Sequence, residues 1–322
     1  MLSNGVPDLA AMRRWLLGDA ILGRDGAVLS WANPRQPGYA YPEAAGLFLS
    51  ALCSSPPLAA EAGAVADRVA DWLQASIGRD GGVGRDETTY VFDSAVVLAG
   101  LLRLRQASGS RRHDEAIHRL RGFVCDGLAA GAAVLPRQAA ADGRWSTQFG
   151  AHLLKCLHGL YLYAQAFGAD LGNDIVHALI DRCGRQPSPV YVHPFCYEQE
   201  GHALIAHYGL SNLFEPMDGA LEWLATLQQP DGAILAFANG VEGFGEPRSD
   251  ATAQAVRLWL LSDRRRYGEP IARALAFLAA CQTPQGGIRY TPDRDDVCSW
   301  STMFTAQAVE WFSAQPRLDA LL

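Results

Sequence analysis

Six polar clusters punctuate this 322-residue chain, and each stands just ahead of an apolar stretch. They fall at residues 39–43, 90–93, 145–149 (leading to His152), 193–202, 246–250 and 295–296 (leading to Trp300). Within them Asp93, Glu198, Glu200, Asp250, His193 and His202 are the groups able to take or give a proton near neutral pH. Tyr41, Glu43, Trp145, His152, Tyr197, Arg248 and Trp300 are the groups suited to holding a substrate. Aromatic faces cover the C–H side of a sugar ring, and a guanidinium grips a carboxylate in a planar fork. The combination predicts acid–base chemistry on a sugar or uronate. Each residue also has a structural use: Asp93 and Asp250 make good helix N-caps, Glu43 follows a proline in a first helical turn, and His152 sits in an otherwise apolar segment.

Such distant clusters form one site only if the elements carrying them converge. A second pattern supplies that. Short turns at Asp25-Gly26, Asp80-Gly81, Asp142-Gly143, Asp231-Gly232 and Gln285-Gly286 recur at intervals of 55, 62, 89 and 54 residues. The long interval leaves room for one more unit, with a degenerate turn at residues 187–191. Six units of roughly 50 residues fill the chain, and self-similarity at that period marks stacked supersecondary units. In each unit an amphipathic stretch (12–17, 69–75, 120–128, 175–183, 220–228, 274–281) comes before one apolar nearly all round (44–52, 94–104, 150–167, 201–207, 251–261, 302–312). The first pattern predicts an outer helix with one wet face, the second an inner helix buried on every side. The predicted fold is all-α: a single (α/α)6 toroid over residues 1–322, with inner-helix N-termini meeting at one mouth. Ser94 or Asp93, Ser146 or Thr147, Ser249 or Asp250, and Ser299 or Ser301 are the expected caps. Short extended pieces are expected at 233–238 and 288–291.

Composition removes several alternatives. The net charge of −7 disfavours a nucleic-acid partner. Lys155 is the sole lysine, which excludes any scheme needing a second one. No apolar run reaches 18 residues and no leader peptide is recognisable, so a cytoplasmic protein without membrane insertion is expected. The seven cysteines are scattered and never form CxxC, as expected of reduced thiols. No dinucleotide, P-loop or metal-ligand spacing is present, so neither cofactor nor metal is expected. The oligomeric state is not legible.

The repeat resembles the six-hairpin α/α toroids over essentially the whole chain. These include unsaturated-uronyl hydrolases, acylglucosamine, cellobiose and uronyl epimerases, polysaccharide lyases, and the prenyltransferase and squalene-cyclase repeat proteins. Tyr41-Pro42-Glu43-Ala44-Ala45-Gly46 and Phe92-Asp93-Ser94-Ala95-Val96-Val97-Leu98-Ala99-Gly100-Leu101 resemble the first two units of a toroid family without an assigned activity. That family often accompanies bacterial polysaccharide biosynthesis. The resemblance implies cavity positions for Tyr41, Glu43, Phe92 and Asp93; the fourth unit, at 195–202, departs from it. Asp293-Arg294-Asp295-Asp296 also spells the DxDD pattern of class II terpene cyclases, although in those enzymes it lies in an early unit. The leading expectation is a carbohydrate-active enzyme acting on a small-molecule or oligosaccharide substrate, with epimerase, lyase and hydrolase not separated. An isoprenoid cyclase and a non-catalytic glycan-binding toroid are the alternatives.

Overall fold

The computed structural model of the chain describes residues 5–54, 60–135, 144–171, 173–182, 189–210 and 217–322. Helices come in pairs along it. The first pair is α1 (Leu9–Leu17) and α2 (Pro42–Cys53), followed by α3 (Ala60–Ser76) with α4 (Val91–Ser108). Then come α5 (Asp114–Ala130) with α6 (Leu157–Phe167), the latter entered through a 3-10 segment, Ala151–Cys156. The last three pairs are α7 (Asn173–Arg182) with α8 (Val192–Tyr208), α9 (Asp218–Thr226) with α10 (Ser249–Ser262), and α11 (Gly268–Cys281) with α12 (Ser299–Ser313).

Burial separates the pairs into two layers, as the hydrophobic patterns require. α1 buries only Met12, Trp15 and Leu16, one stripe of a helix wet on its other side. By contrast, α4 is buried continuously from Val91 to Leu104, and α10 from Ser249 to Leu260. The even-numbered helices form the inner layer, each packed on the next, and α12 returns to α2. Between α2 and α4 the approach is close enough that a Cβ on Gly46 or Gly100 would overlap the facing helix backbone. The ring is closed and the fold is an all-α toroid.

The repeated turns close the ring. Asp25, Asp80 and Asp231 each accept a hydrogen bond from the backbone N–H two residues on, at 3.0–3.1 Å, fixing a tight Asx turn. The glycine that follows presses on the next outer helix. At Gly286 (φ 109°) a Cβ would overlap the carbonyl of Ala11 in α1, so the sixth unit docks on the first. The same contact joins Gly26 to Arg68, Gly81 to Arg119 and Gly232 to Arg273. The turn at Asp142-Gly143, together with Ser188 and Cys183, lies outside the described residues.

Among the described residues there are nine short strands: β1 (Trp31–Ala32), β2 (Val83–Arg85), β3 (Thr88–Tyr90), β4 (Val134–Leu135), β5 (Val190–Tyr191), β6 (Ile234–Asn239), β7 (Glu242–Arg248), β8 (Ile288–Arg289) and β9 (Val297–Cys298). They form three antiparallel sheets ordered β1-β9-β8, β2-β3-β4 and β5-β6-β7. In the first, Trp31 pairs with Cys298, a further link between the first and last units.

The expected caps are not the observed ones. α4, α10 and α12 are entered from Tyr90, Arg248 and Cys298, and of these only the Cys298 sulfur accepts a capping bond, from Ser301 N at 3.4 Å. Instead Ser94, Thr252 and Thr302, the fourth residues of these helices, accept from the turn amides of Val83, Ile234 and Ile288 at 2.9–3.0 Å. The hydroxyls tie each turn to its inner helix, which satisfies buried amides that no ladder reaches.

Candidate functional site

One register organises the mouth. The second residues of the six inner segments are Glu43, Phe92, His152, His193, Asp250 and Trp300. A helix start aimed at the axis points its second residue inward, so six distant positions become one ring. Above it lies a cavity of about 480 Å3, whose wall includes Tyr39, Tyr41, Glu43, Arg85, Trp145, Tyr191, His193, Arg248, Asp250, Tyr290 and Trp300.

On one wall, Arg248 ends β7 and holds Asp250 with two bonds, Nε to Oδ1 at 3.1 Å and Nη2 to Oδ2 at 2.7 Å. Trp300 Nε1 donates to the same carboxylate at 3.2 Å, and His193 Nδ1 lies 3.6 Å from it. Burial alone would raise the Asp250 pKa, but the Arg248 charge and these donors outweigh it and hold the carboxyl below its usual range. Tyr191 accepts from Arg248 Nη1 at 2.7 Å, and the Arg248 guanidinium lies over the Tyr290 ring.

At the start of α2, Glu43 is 5% exposed and accepts from Tyr197 OH at 3.1 Å and from Tyr41 OH. Burial pushes its pKa up against the opposing effect of both phenols. Asp93 is buried beside Glu43 and Arg85; burial first, and then the Glu43 charge, raise it well above the carboxylate range. Two carboxylate environments displaced in opposite directions therefore face one cavity, an arrangement that separates an acid from a base.

His193 is 6% exposed, and its Nδ1 lies 2.7 Å from Gln254 Oε1. An amide oxygen can only accept, so that nitrogen carries the proton and Nε2 is left as the lone-pair site. Burial lowers the His193 pKa, keeping the ring neutral. Beneath the mouth, Phe92 contacts Tyr197 at 4.7 Å and Trp145 at 5.9 Å between ring centroids. Tyr197 is 1% exposed and belongs to this floor. His152 is wedged among Phe92 and Trp145, with Nε2 unpartnered and its pKa driven to about 3 by burial.

Three anticipated proton-transfer residues do not reach the cavity. The polar run at 193–202 lies within α8, which begins at Val192, not ahead of the helix. At about 1.5 Å of rise per residue, Glu200 sits roughly 12 Å below the first residue. There it is fully buried between Lys155 Nζ, at 2.7 Å, and Arg257. Lys155 also donates to the Leu322 carbonyl, and burial lowers its pKa to about 8. Glu198 and His202 pair with each other at 3.8 Å, on the helix face where Phe195 packs against Trp223 of α9. They face the outer layer.

Asp93 likewise is not part of the cavity wall, whose carboxylates are Glu43, Asp250 and Asp296. Of the acids in the DxDD tetrad, Asp295 is exposed beside Arg35 and Asp293 is exposed; only Asp296 reaches the rim, where Asn33 donates to it at 2.7 Å. Arg85, Tyr290 and Gln254 were not marked by any motif. Among the described residues, no group of three His, Cys, Asp or Glu side chains is placed to share a metal ion.

The fold and its ring of polar helix starts define a six-hairpin α/α toroid. Its structure is similar to an α-amylase from Clostridium perfringens (TM-score 0.68, 10% identity, 97% of this chain and 99% of that one). It is similar also to an unsaturated glucuronyl hydrolase specific for heparin (0.69, 13%, 95% and 96%). A type II terpene cyclase from Scytonema, solved with geranylgeranyl dihydroxybenzoate, shares the fold too (0.62, 16%, 96% and 97%). No family model matches the sequence, and no curated protein is similar to it in sequence. At these identities what is shared is the fold. Among the described residues no helix is long and apolar enough to cross a membrane.

Proposed function

We propose that the chain is a carbohydrate-active enzyme of hydrolase type, with Glu43 as general acid and Asp250 as the ionised partner. The observation that carries this is the opposite displacement of two carboxylates on one aromatic-walled cavity. Glu43, kept protonated by burial, gives its proton to the leaving glycosidic oxygen. Asp250, kept ionised by Arg248, takes a proton from the water that adds at the anomeric carbon, so water is consumed and one C–O bond breaks. Trp145 and Trp300 supply faces for the ring, and the neutral His193 offers Nε2 as a hydroxyl acceptor. The Asp250 charge adds to burial in raising the Glu43 pKa. Several toroids of the same fold are glycosidases by name, which favours this reading.

Reducing-end release from a panel of glycosides and oligosaccharides tests it. Glu43→Gln and Asp250→Asn should each lose at least about a hundredfold in kcat. Turnover at wild-type rate in both would sink the assignment. The same incubations in D2O separate the alternatives, since an epimerase incorporates deuterium at carbon and a lyase leaves a ring double bond.

A cyclase reading keeps one supporting observation, the buried carboxyl of Asp93 with its raised pKa in the second unit. It requires Asp93→Asn to abolish cyclisation of an isoprenoid chain and Asp295→Asn to leave it intact.

A further inference from the structure

We infer that the β6–β7 hairpin is an outer subsite of this cavity, which holds by ring stacking one sugar unit of a glycan chain running out over the rim. The inference rests on the reading of the cavity as a sugar site and says where a longer substrate goes.

Among the described residues, the exposed large apolar side chains are Val241, at 70%, and Phe244, at 44%, and both belong to this hairpin. Apolar groups left in water beside a cavity mark a contact surface. The sheet register shows what the surface is continuous with. Tyr191 of β5 pairs with Phe237 of β6, which pairs in turn with Phe244 of β7. Direct cross-strand partners share one face, and these rings stack with centroids 4.9 and 5.5 Å apart. The row thus leads from Tyr191 on the cavity wall to Phe244 at the open edge. Phe237 covers one side of the Phe244 ring, and Gly243 and Gly245 place no side chain beside it.

A glycan fits this edge better than a second copy of the chain. β7 is the outer strand of its sheet, and a protein partner would most readily add a strand there. Pro247 removes a ladder donor from that strand, and exposed Glu242 and Glu246 charge it. A sugar needs only a ring face flanked by hydroxyl acceptors, which these features provide. The cavity, at about 480 Å3, lies in the lower half of the usual range for ligand sites, so a chain of several units has to leave it. Arg248, which ends β7, joins Tyr191 to Asp250, so a sugar seated on the hairpin is registered against the proposed chemistry.

Affinity electrophoresis in gels containing heparin, chondroitin sulfate, pectin, xylan or amylose tests this on wild type, Phe244→Ala and Phe244→Tyr. The disaccharide of whichever polymer retards the wild type is then titrated. Phe244→Ala should bind that polymer about three- to tenfold more weakly, with the disaccharide Kd unchanged and Phe244→Tyr restoring the polymer affinity. Equal polymer binding by Phe244→Ala and wild type overturns the subsite while leaving the cavity reading intact. So does a parallel loss for polymer and disaccharide. A dimer in sedimentation that Phe244→Ala dissociates, with polymer binding unchanged, assigns the patch to a second copy instead. No binding of any polymer or disaccharide by the wild type removes the cavity reading first, and the subsite with it.

Discussion

Arg248 and Asp250, two residues apart at the end of β7 and the start of α10, form a buried two-point ion pair on the wall of the cavity. The strand-to-helix corner brings the pair together, since a continuous helix would point i and i+2 to different sides. Removing one partner of a buried pair leaves the other uncompensated, at a cost of about 3–5 kcal/mol. Arg248→Ala should therefore lower unfolding free energy by about that amount in urea titration. Arg248→Ala with Asp250→Ala should recover part of the loss. Equal stabilities for wild type and Arg248→Ala would show that the pair contributes nothing.

The displaced carboxyl pKa values predict a bell-shaped pH dependence. Asp250 lies below its ordinary range, so activity falls on the acid side only as pH drops through that depressed value. Glu43 lies above its range, so activity falls on the alkaline side as pH rises through the raised value. Glu43→Gln should remove the alkaline limb from whatever activity remains.

Asp93 carries a stability consequence of the same origin. Its folded pKa is raised, so the fold favours the protonated form: the contribution is fully present below the unfolded value near 4 and is lost as pH rises through the folded value. Asp93→Asn removes the penalty, so its Tm should exceed that of the wild type at pH 7, and the difference should shrink toward pH 4. A Tm difference independent of pH would contradict the assignment.

His193 should show a single tautomer. Nitrogen-15 NMR of the labelled protein should place the proton on Nδ1, against Gln254, with Nε2 bare. Gln254→Leu should mix the tautomers and raise KM more than it lowers kcat. A spectrum with Nε2 protonated in the wild type would remove His193 as an acceptor.

Glu200 should behave unlike the mouth carboxylates. Glu200→Gln leaves Lys155 and Arg257 buried together without an anion, so Tm should drop sharply while kcat per folded molecule stays near wild type. A large kcat loss in folded protein would return Glu200 to the chemistry.

The contrast between Glu43 and Glu200 shows where local pattern stops informing. The periodicity of apolar residues and the recurring Asp-Gly turns are short-range properties, so the two helical layers, the six units and the closed ring could be read directly from the chain. The turn glycines need positive φ and bare contact with the next unit, which is why they recur. Cluster membership also pointed to Tyr41, Glu43, Trp145, His193, Arg248, Asp250 and Trp300, which stand at or near helix starts and line the cavity. Depth along the barrel was not legible. Glu198, Glu200 and His202 look like mouth residues in sequence, yet α8 begins at Val192 and carries them down the axis or onto its outer face. Nor could spacing give the pairing of Arg248 with Asp250, or the enclosure of Glu43 by Tyr41 and Tyr197, 154 positions away. A side chain's protonation is set by the charges and the solvent that surround it in space. Those neighbours come from other turns of the ring, and only closure brings them within reach.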